Sequence, residues 1–213
     1  MLGLLAPTFI AVAAALLLKG SLRELFGTRP RWWPAILVAF AVELALYNPP
    51  VDGQAWAIQV GPWIWLGTKL VLLGVLIRNA WPASGTVCWP WLLAAAGVAL
   101  NTLVIALNDG HMPQAPEAAI AIWGASHIDP MKLQNVAPMR PETLLPWLGD
   151  VLPQPAWLPR RNVVSVGDLL LAAGVAAWVF GAMAPSSLFR KAYIGLNGAR
   201  AQRARRPHRR CST

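Results

Sequence analysis

The sequence has little charge, since only 13% of its 213 residues are Asp, Glu, Lys or Arg. Soluble domains carry about 25% charged residues, whereas here 56% of the residues are hydrophobic and the mean hydropathy is +0.48. This balance excludes an ordinary soluble domain and indicates a membrane protein. Apolar segments and their connections use nearly the whole chain, which leaves no length for a separate soluble domain.

Cysteine and histidine are also scarce, at two and three residues. Cys88 and Cys211 form no CxxC pair, and the topology deduced below puts both in the reducing cytoplasm, so we expect no disulfide. The histidines lack zinc-ligand spacing, and none lies in an apolar segment where it could bind haem. Phosphate-loop, zinc-protease and hydrolase signatures are absent. The sequence therefore predicts no metal, no cofactor and no catalytic residue.

What the sequence does contain is a series of long apolar segments, several flanked by Trp or Tyr as at membrane interfaces. A helix needs about 20 residues to cross the hydrocarbon core, and slightly fewer suffice with interfacial anchors. We predict an all-α fold: a polytopic membrane helix bundle of about five transmembrane helices within residues 1–188. The expected spans are residues 2–18, 33–47, 56–77, 91–107 and 164–184. Gly61 and Pro62 are expected to interrupt the start of the third span.

The distribution of Lys and Arg predicts the orientation, because short cytoplasmic loops retain positive charge. The first connection holds Lys19, Arg23, Arg29 and Arg31, whereas the second holds no basic residue. We expect the N-terminus outside, the C-terminus in the cytoplasm, and a first helix that is retained rather than cleaved as a signal peptide. The net charge of +9 is mostly this topology signal, so it makes a nucleic-acid partner unlikely.

The C-terminal segment 189–213 is strongly basic and has no acidic residue. Such a segment next to a membrane is attracted to anionic lipid at about 1 kcal/mol per charge near the surface. We predict a disordered cytoplasmic tail that contacts anionic lipids, with an acidic protein or RNA as the alternative partner. The residues expected to contact lipid are Arg203, Arg205, Arg206, Arg209 and Arg210.

The connection 108–162 is too long for a simple tether. Its apolar pieces Ala118–Trp123 and Leu144–Leu148 each follow a Pro-Glu pair, which favours short helices. Trp123, Trp147 and Trp157 would hold such helices at the membrane surface. We expect an extracytoplasmic lid of short interfacial helices; a docking surface for another membrane subunit is the alternative.

Polar residues within the predicted spans all lie near the outer surface. At 1.5 Å per residue, Glu43 is about 6 Å, Lys69 about 9 Å and Asn101 about 10 Å below it. Polar groups in a span face other helices or a cavity, so we predict one polar cluster beneath the lid. Its candidate members are Glu43, Lys69, Asn101, Asn108, His111 and Asp168.

A structural role is the simplest interpretation of most of these residues. Glu43 and Lys69 can form an interhelical ion pair, and Asn101 can join helices by hydrogen bonds. Asp168 follows Ser165 at the spacing of a capping box. His111 could instead move protons near neutral pH, and a proton or ion role for the charged pair is the alternative.

Three short motifs carry a family resemblance: N-D-G-H-M-P at Asn108–Pro113, L-L-P-W-L-G-D-V-L-P at Leu144–Pro153, and S-V-G-D-L-L at Ser165–Leu170. They resemble a bacterial family of small multi-pass membrane proteins catalogued as a domain of unknown function. The similarity covers about residues 1 to 185, although that family often has a second Gly where Asp109 stands. It implies a membrane location and no activity, substrate or catalytic residue; we expect the location to be the bacterial cytoplasmic membrane.

Two functions remain open. The first, favoured by twelve tryptophans suited to anchoring and packing, is a non-enzymatic integral membrane protein that serves as an accessory or structural subunit of a membrane complex. The alternative is a transporter of a small solute or protons, or a membrane enzyme, that uses the polar cluster.

Overall fold

The structure is a computed structural model that describes residues 2–51, 53–81, 87–124, 135–158 and 161–183. The predicted basic tail therefore lies outside the described residues. Seven α-helices occur in the described part: α1 Leu2–Leu17, α2 Leu22–Gly27, α3 Trp33–Leu46, α4 Ala55–Ala80, α5 Trp89–Leu107, α6 Pro116–Trp123 and α7 Val166–Met183.

The all-α prediction is confirmed. Helices α4, α5 and α7 are long and apolar enough to cross a membrane, while α1 and α3 are shorter apolar helices. Helix α2, a single six-residue helix in the first connection, was not expected from the sequence. It is too short to show the apolar periodicity that identifies a helix.

The helices agree with the predicted spans to within a few residues, and two of the differences have a clear physical cause. Helix α4 begins at Ala55 and continues to Ala80, with Pro62 inside it, so the predicted interruption is wrong. A proline removes one backbone hydrogen bond, but a long helix packed against neighbours tolerates that loss. Helix α7 begins at Val166 rather than at residue 164, because Val163–Val164 forms a strand.

The described part of the connection between α5 and α7 contains less helix than expected. Helix α6 forms as predicted, but the Leu144–Leu148 piece contains only a 3-10 turn at Pro146–Leu148. This piece leads into tertiary backbone pairing: the Asp150 N–H donates to the Pro113 carbonyl at 2.8 Å, and the Ala115 N–H to the Asp150 carbonyl at 2.9 Å. Pairing with a distant segment prevails over local helix propensity here.

Four short strands accompany that pairing. Strand β1 (Met112–Gln114) pairs in parallel with β2 (Val136–Pro138). Strand β3 (Leu152–Pro153) pairs antiparallel with β4 (Val163–Val164). These pairs bring the described parts of the connection together over the ends of the helices.

The apolar helices pack in the order α3, α4, α5, α7, α1. Helices α5 and α7 approach closely at glycines: a Cβ atom on Gly97, Gly167 or Gly174 would lie within 2.6 Å of an atom of the opposite helix. Small residues at such positions let helix backbones touch, as in membrane helix pairs generally.

Two apolar clusters lie at opposite ends of the bundle. One surrounds Trp65 and Ile105 and includes Met112 and Leu148 of the α5–α7 connection. The other surrounds Leu76 and Trp91 at the far end, by which we mean the end where α4 finishes at Ala80. The polar groups described next lie beside the first cluster.

Candidate functional site

A cavity of about 160 Å³ lies between α4, α5 and α7, beneath the α5–α7 connection. Each helix contributes one strongly polar side chain to its wall: Lys69 from α4, Asn101 from α5 and Asp168 from α7. The apolar part of the wall repeats at helical spacing around them. Those apolar residues are Trp65 and Leu72 of α4, Val98 and Ile105 of α5, and Leu171 of α7.

The connection closes the cavity with polar groups of its own. Asn135, Asp150 and Asn162 line it together with Met112, Val136 and Val163. Met112 and Asn135 are joined by a backbone hydrogen bond of 2.8 Å. The cavity therefore depends on the pairing of β1 with β2, which brings two distant parts of the connection together.

The Lys69 side chain is held by Glu43 of α3. The Lys69 Nζ donates to Glu43 Oε1 at 2.8 Å and to Oε2 at 3.0 Å, and the side chains are only 19% and 16% exposed. The Thr68 hydroxyl also lies 2.6 Å from Glu43 Oε1. The ion pair predicted from the sequence is thus present, and it neutralises Lys69, the one lysine among the described residues of the cavity wall.

Asn101, Ser165 and Asp168 form a second polar group on the opposite wall. Asn101 Nδ2 donates to Asp168 Oδ1 at 2.7 Å, and the Ser165 hydroxyl donates to Asn101 Oδ1 at 2.9 Å. The Asp168 N–H donates to the Ser165 hydroxyl at 3.0 Å, while the Ser165 N–H lies 3.3 Å from Asp168 Oδ2. The predicted capping box is present, and it also fixes the Asp168 carboxylate at the cavity.

Asp150 brings a second carboxyl group into the same cavity. Its backbone is held between Pro113 and Ala115, and its residue is only 8% exposed. Burial, and secondarily the charge of Asp168, raise the pKa of the Asp150 carboxyl to about 8. A carboxyl group in this environment carries a proton near neutral pH.

The glycines of the three motifs are required by close contacts around the site. A Cβ on Gly110 would lie 2.8 Å from the Pro62 Cβ, and one on Gly149 would lie 2.4 Å from the Pro113 carbonyl oxygen. A Cβ on Gly167 would overlap the Asn101 side chain. Each motif therefore places a glycine where only hydrogen fits.

Three predicted members of the cluster are not among the residues that line the cavity: Glu43, which is connected to it only through Lys69, and Asn108 and His111. Asn108 ties the end of α5 to the connection: its Nδ2 donates to the Leu144 carbonyl and its Oδ1 accepts from the Leu144 N–H, both at 3.0 Å. His111 Nδ1 lies 2.9 Å from its neighbour's carbonyl oxygen, that of Asp109. Asp109 has φ of 54°, in the left-handed region that glycine favours.

Sequence reasoning missed Asp150, Asn135 and Asn162 as cavity residues. Asp150 stands in the L-G-D motif, which was the one available signal. Asn135 and Asn162 lie in segments without periodicity, and only the strand pairs bring them to the site. Within the described ranges, no group of three or more His, Cys, Asp and Glu side chains could hold a metal ion.

The family comparison covers this whole arrangement. A model of a family of unknown function (DUF5317) matches residues 29–180. The chain belongs to this family. No curated protein and no solved structure matches the chain significantly.

The DUF5317 model matches a defined part of the chain. It includes α3, α4, α5, the α5–α7 connection and all but the last residues of α7, and hence all three motifs and every described residue of the cavity wall. It leaves out α1 and α2. The cavity is therefore built entirely within the family region.

Proposed function

We propose that the protein is a multi-pass protein of the bacterial cytoplasmic membrane that binds a small polar solute in the cavity between α4, α5 and α7. The observation that carries this proposal is the convergence of six polar side chains on one cavity. They come from three helices and from two strand-paired parts of the connection: Lys69, Asn101, Asn135, Asp150, Asn162 and Asp168. A binding role at this site is distinct from catalysis, for which no residue set is proposed.

The composition of the wall supports binding of a polar molecule. Apolar side chains form much of the wall, while a few polar groups provide direction, as in small-molecule sites generally. An engineered apolar cavity of about 150 Å³ holds benzene, so a space of about 160 Å³ suits a solute of about six non-hydrogen atoms. The polar lining here favours a polar solute over a hydrocarbon.

The proposed orientation has five spans with the N-terminus outside and the C-terminus in the cytoplasm. It is supported by the basic residues of the first connection, which include Arg23 and Arg29, and by the basic segment 189–213. In this orientation the cavity lies in the outer half of the membrane, and the tail lies where anionic lipid would attract it.

Solute binding can be tested by thermal stability of the purified protein in detergent against a panel of small amines, amides, amino acids and carboxylates. We expect at least one class to raise Tm in proportion to ligand concentration. Val98→Leu adds a methylene group to the cavity wall and should weaken binding several-fold. Val38→Leu, the same change at a 63% exposed position on α3, is the matched control.

Absence of any stabilising solute, or unchanged binding by Val98→Leu, would contradict the proposed binding site. The orientation has its own test, accessibility of single cysteines to a membrane-impermeant maleimide in intact cells. With Cys88→Ala and Cys211→Ser as background, Glu142→Cys should react from outside. Gly27→Cys, at an exposed site with open space around the Cβ position, should react only after permeabilisation.

A second candidate is an accessory subunit of a membrane complex, favoured by large apolar side chains, two of them aromatic, that are exposed on the connection. Trp147 is 64% exposed, Trp157 75% and Leu144 51%. Exposed aromatic side chains of this kind either anchor in the membrane interface or form the centre of a protein interface. Gentle solubilisation of the native protein discriminates: a stoichiometric protein partner that is lost with Trp147→Ser and Trp157→Ser supports the subunit role.

A further inference from the structure

The charges facing the cavity are not balanced. The Lys69 ammonium group is neutralised by both oxygens of Glu43, at 2.8 Å and 3.0 Å. The one strongly polar side chain that α5 contributes to the wall, Asn101, is neutral. The carboxyl groups of Asp168 and Asp150 then remain without a positively charged side chain among the described residues that line the cavity.

The Asp168 carboxylate has hydrogen-bonding capacity left. From the described residues each oxygen receives one donor, Asn101 Nδ2 on Oδ1 and the Ser165 N–H on Oδ2. An ionised carboxylate has about four acceptor positions. Two positions therefore remain for a donor within the cavity.

The Asp150 carboxyl group is the more unusual of the two. The residue is more than nine-tenths buried and lines the cavity, yet no donor within the described ranges hydrogen-bonds to its side chain. A buried polar group without a partner is costly. An isolated buried carboxyl of this kind, facing a space large enough for a small molecule, indicates a ligand that donates hydrogen bonds.

We propose that the cavity binds a small organic ammonium ion between Asp150 and Asp168, and that the ion displaces the proton held by Asp150. This inference rests on the proposed function and specifies its solute class. A primary ammonium group has three N–H donors, which match the two carboxylates and the side-chain carbonyl oxygen of Asn135 or Asn162.

The exchange balances in charge and protons. The O–H bond of the Asp150 carboxyl group breaks, its proton passes to solvent water, and the resulting carboxylate accepts an N–H from the ammonium ion. Among the described residues, the other charged groups near the cavity are Lys69 and its partner Glu43, and Asp168 on α7. The Lys69–Glu43 pair is already internally neutral, so the net charge of the occupied site changes only through Asp150 and the ion.

The test uses three probes of similar size with the full-length protein in detergent: ethylammonium, acetamide and acetate. We expect ethylammonium to bind most tightly and to release about one proton per ion below pH 8, measured with a pH-indicator dye in weak buffer. Its affinity should fall about tenfold for each pH unit below pH 8, because one proton competes with one ion. The affinity for acetamide should not depend on pH.

Asp150→Asn keeps the side-chain shape while removing the exchangeable proton. It should lower ethylammonium affinity at pH 8 by at least tenfold and abolish proton release, with the fold retained. Glu142→Gln, an exposed carboxyl in the same connection, should behave as the original protein. Proton release and probe selectivity are measured on the unmodified protein as well, so the test does not depend on the variant folding.

The outcomes separate the two proposals. If acetamide or acetate binds in a manner sensitive to Val98→Leu while ethylammonium does not, the ammonium proposal is overturned and the solute site stands. If ethylammonium binds without proton release, or if Asp150→Asn binds it equally well, the exchange with Asp150 is wrong. If none of these probes binds and the wider panel is also negative, both proposals fall.

Discussion

Two buried asparagines at opposite ends of the bundle show how the same residue type serves different roles. Asn79 lies near the C-terminal end of α4, and Asn101 lies in α5 at the cavity. Asn79 is completely buried at the far end, where its Oδ1 accepts from the Arg31 N–H at 2.8 Å and its Nδ2 donates to the Arg31 and Val75 carbonyls. Asn101 bonds to Asp168 and Ser165 but faces the cavity. At the far end, the hydrogen bonds of Asn79 attach Arg31 to α4. At the cavity end, the polar side chains keep hydrogen-bonding capacity free.

The largest expected effect tests how closely α5 and α7 must approach. Gly167→Ala places a methyl group in the space of the Asn101 side chain, so it should lower the free energy of unfolding by more than about 3 kcal/mol. The measurement is unfolding in mixed micelles followed by circular dichroism. Gly67→Ala on α4, where nothing lies within 4 Å of the added Cβ, should be neutral or stabilise by up to about 1 kcal/mol. Equal effects at both glycines would remove the distinction.

The ion pair should show strong coupling. Glu43→Gln leaves the Lys69 charge largely buried, and we expect a loss of about 2 kcal/mol, below the 3 to 5 kcal/mol of fully buried pairs because both side chains are partly exposed. Adding Lys69→Met should recover much of the loss. A double-mutant cycle measures this coupling, and additive losses would show that the pair does not stabilise the cavity wall.

The two asparagines can be compared directly. Asn79→Ala removes three hydrogen bonds from a fully buried position, so it should cost about 2 kcal/mol of stability and leave solute affinity unchanged. Asn101→Ala should lower both stability and solute affinity, because the Asp168 carboxylate loses its Nδ2 donor. The comparison fails if Asn79→Ala, measured at a temperature where it is folded, also loses the solute.

The Asp150 carboxyl group at the cavity should make the free energy of unfolding depend on pH. Its pKa is raised to about 8 in the folded protein from 3.8, so between these values the folded state holds a proton that the unfolded chain has released. The contribution of this group to the free energy of unfolding is therefore fully present below about pH 4. It is lost, by up to about 1.4 kcal/mol per pH unit, as the pH rises to 8. Thermal unfolding from pH 5 to 9 should show that slope flattened in Asp150→Asn and retained in Glu142→Gln.

The smallest expected effect concerns the attachment of the connection. Asn108→Ala removes the paired hydrogen bonds to Leu144 and should cost about 1 kcal/mol. Hydrogen exchange should rise in residues 144–150 and stay unchanged around Asn79. Uniform exchange changes would mean that Asn108 supports the whole bundle.

Much of the bundle follows from the sequence because apolar length and charge position are local signals. The helices α1, α3, α4, α5 and α7 were predicted, as were the Glu43–Lys69 pair and the Ser165–Asp168 capping box, which depend on depth and spacing. The strands were not predicted, because pairs of two or three residues leave no periodic pattern and form only through distant contacts. The entry of Asp150, Asn135 and Asn162 into the cavity depends on those strands and was missed for the same reason.

The three motif glycines have a consequence for comparing members of this family. Gly110, Gly149 and Gly167 exclude any side chain whatever the cavity contains, so their invariance would report on architecture and carry no information about ligand choice. Positions 135 and 162 face the same space without that steric restriction. Variation there, set against an unchanging glycine framework, would divide the family into groups with different ligand preferences.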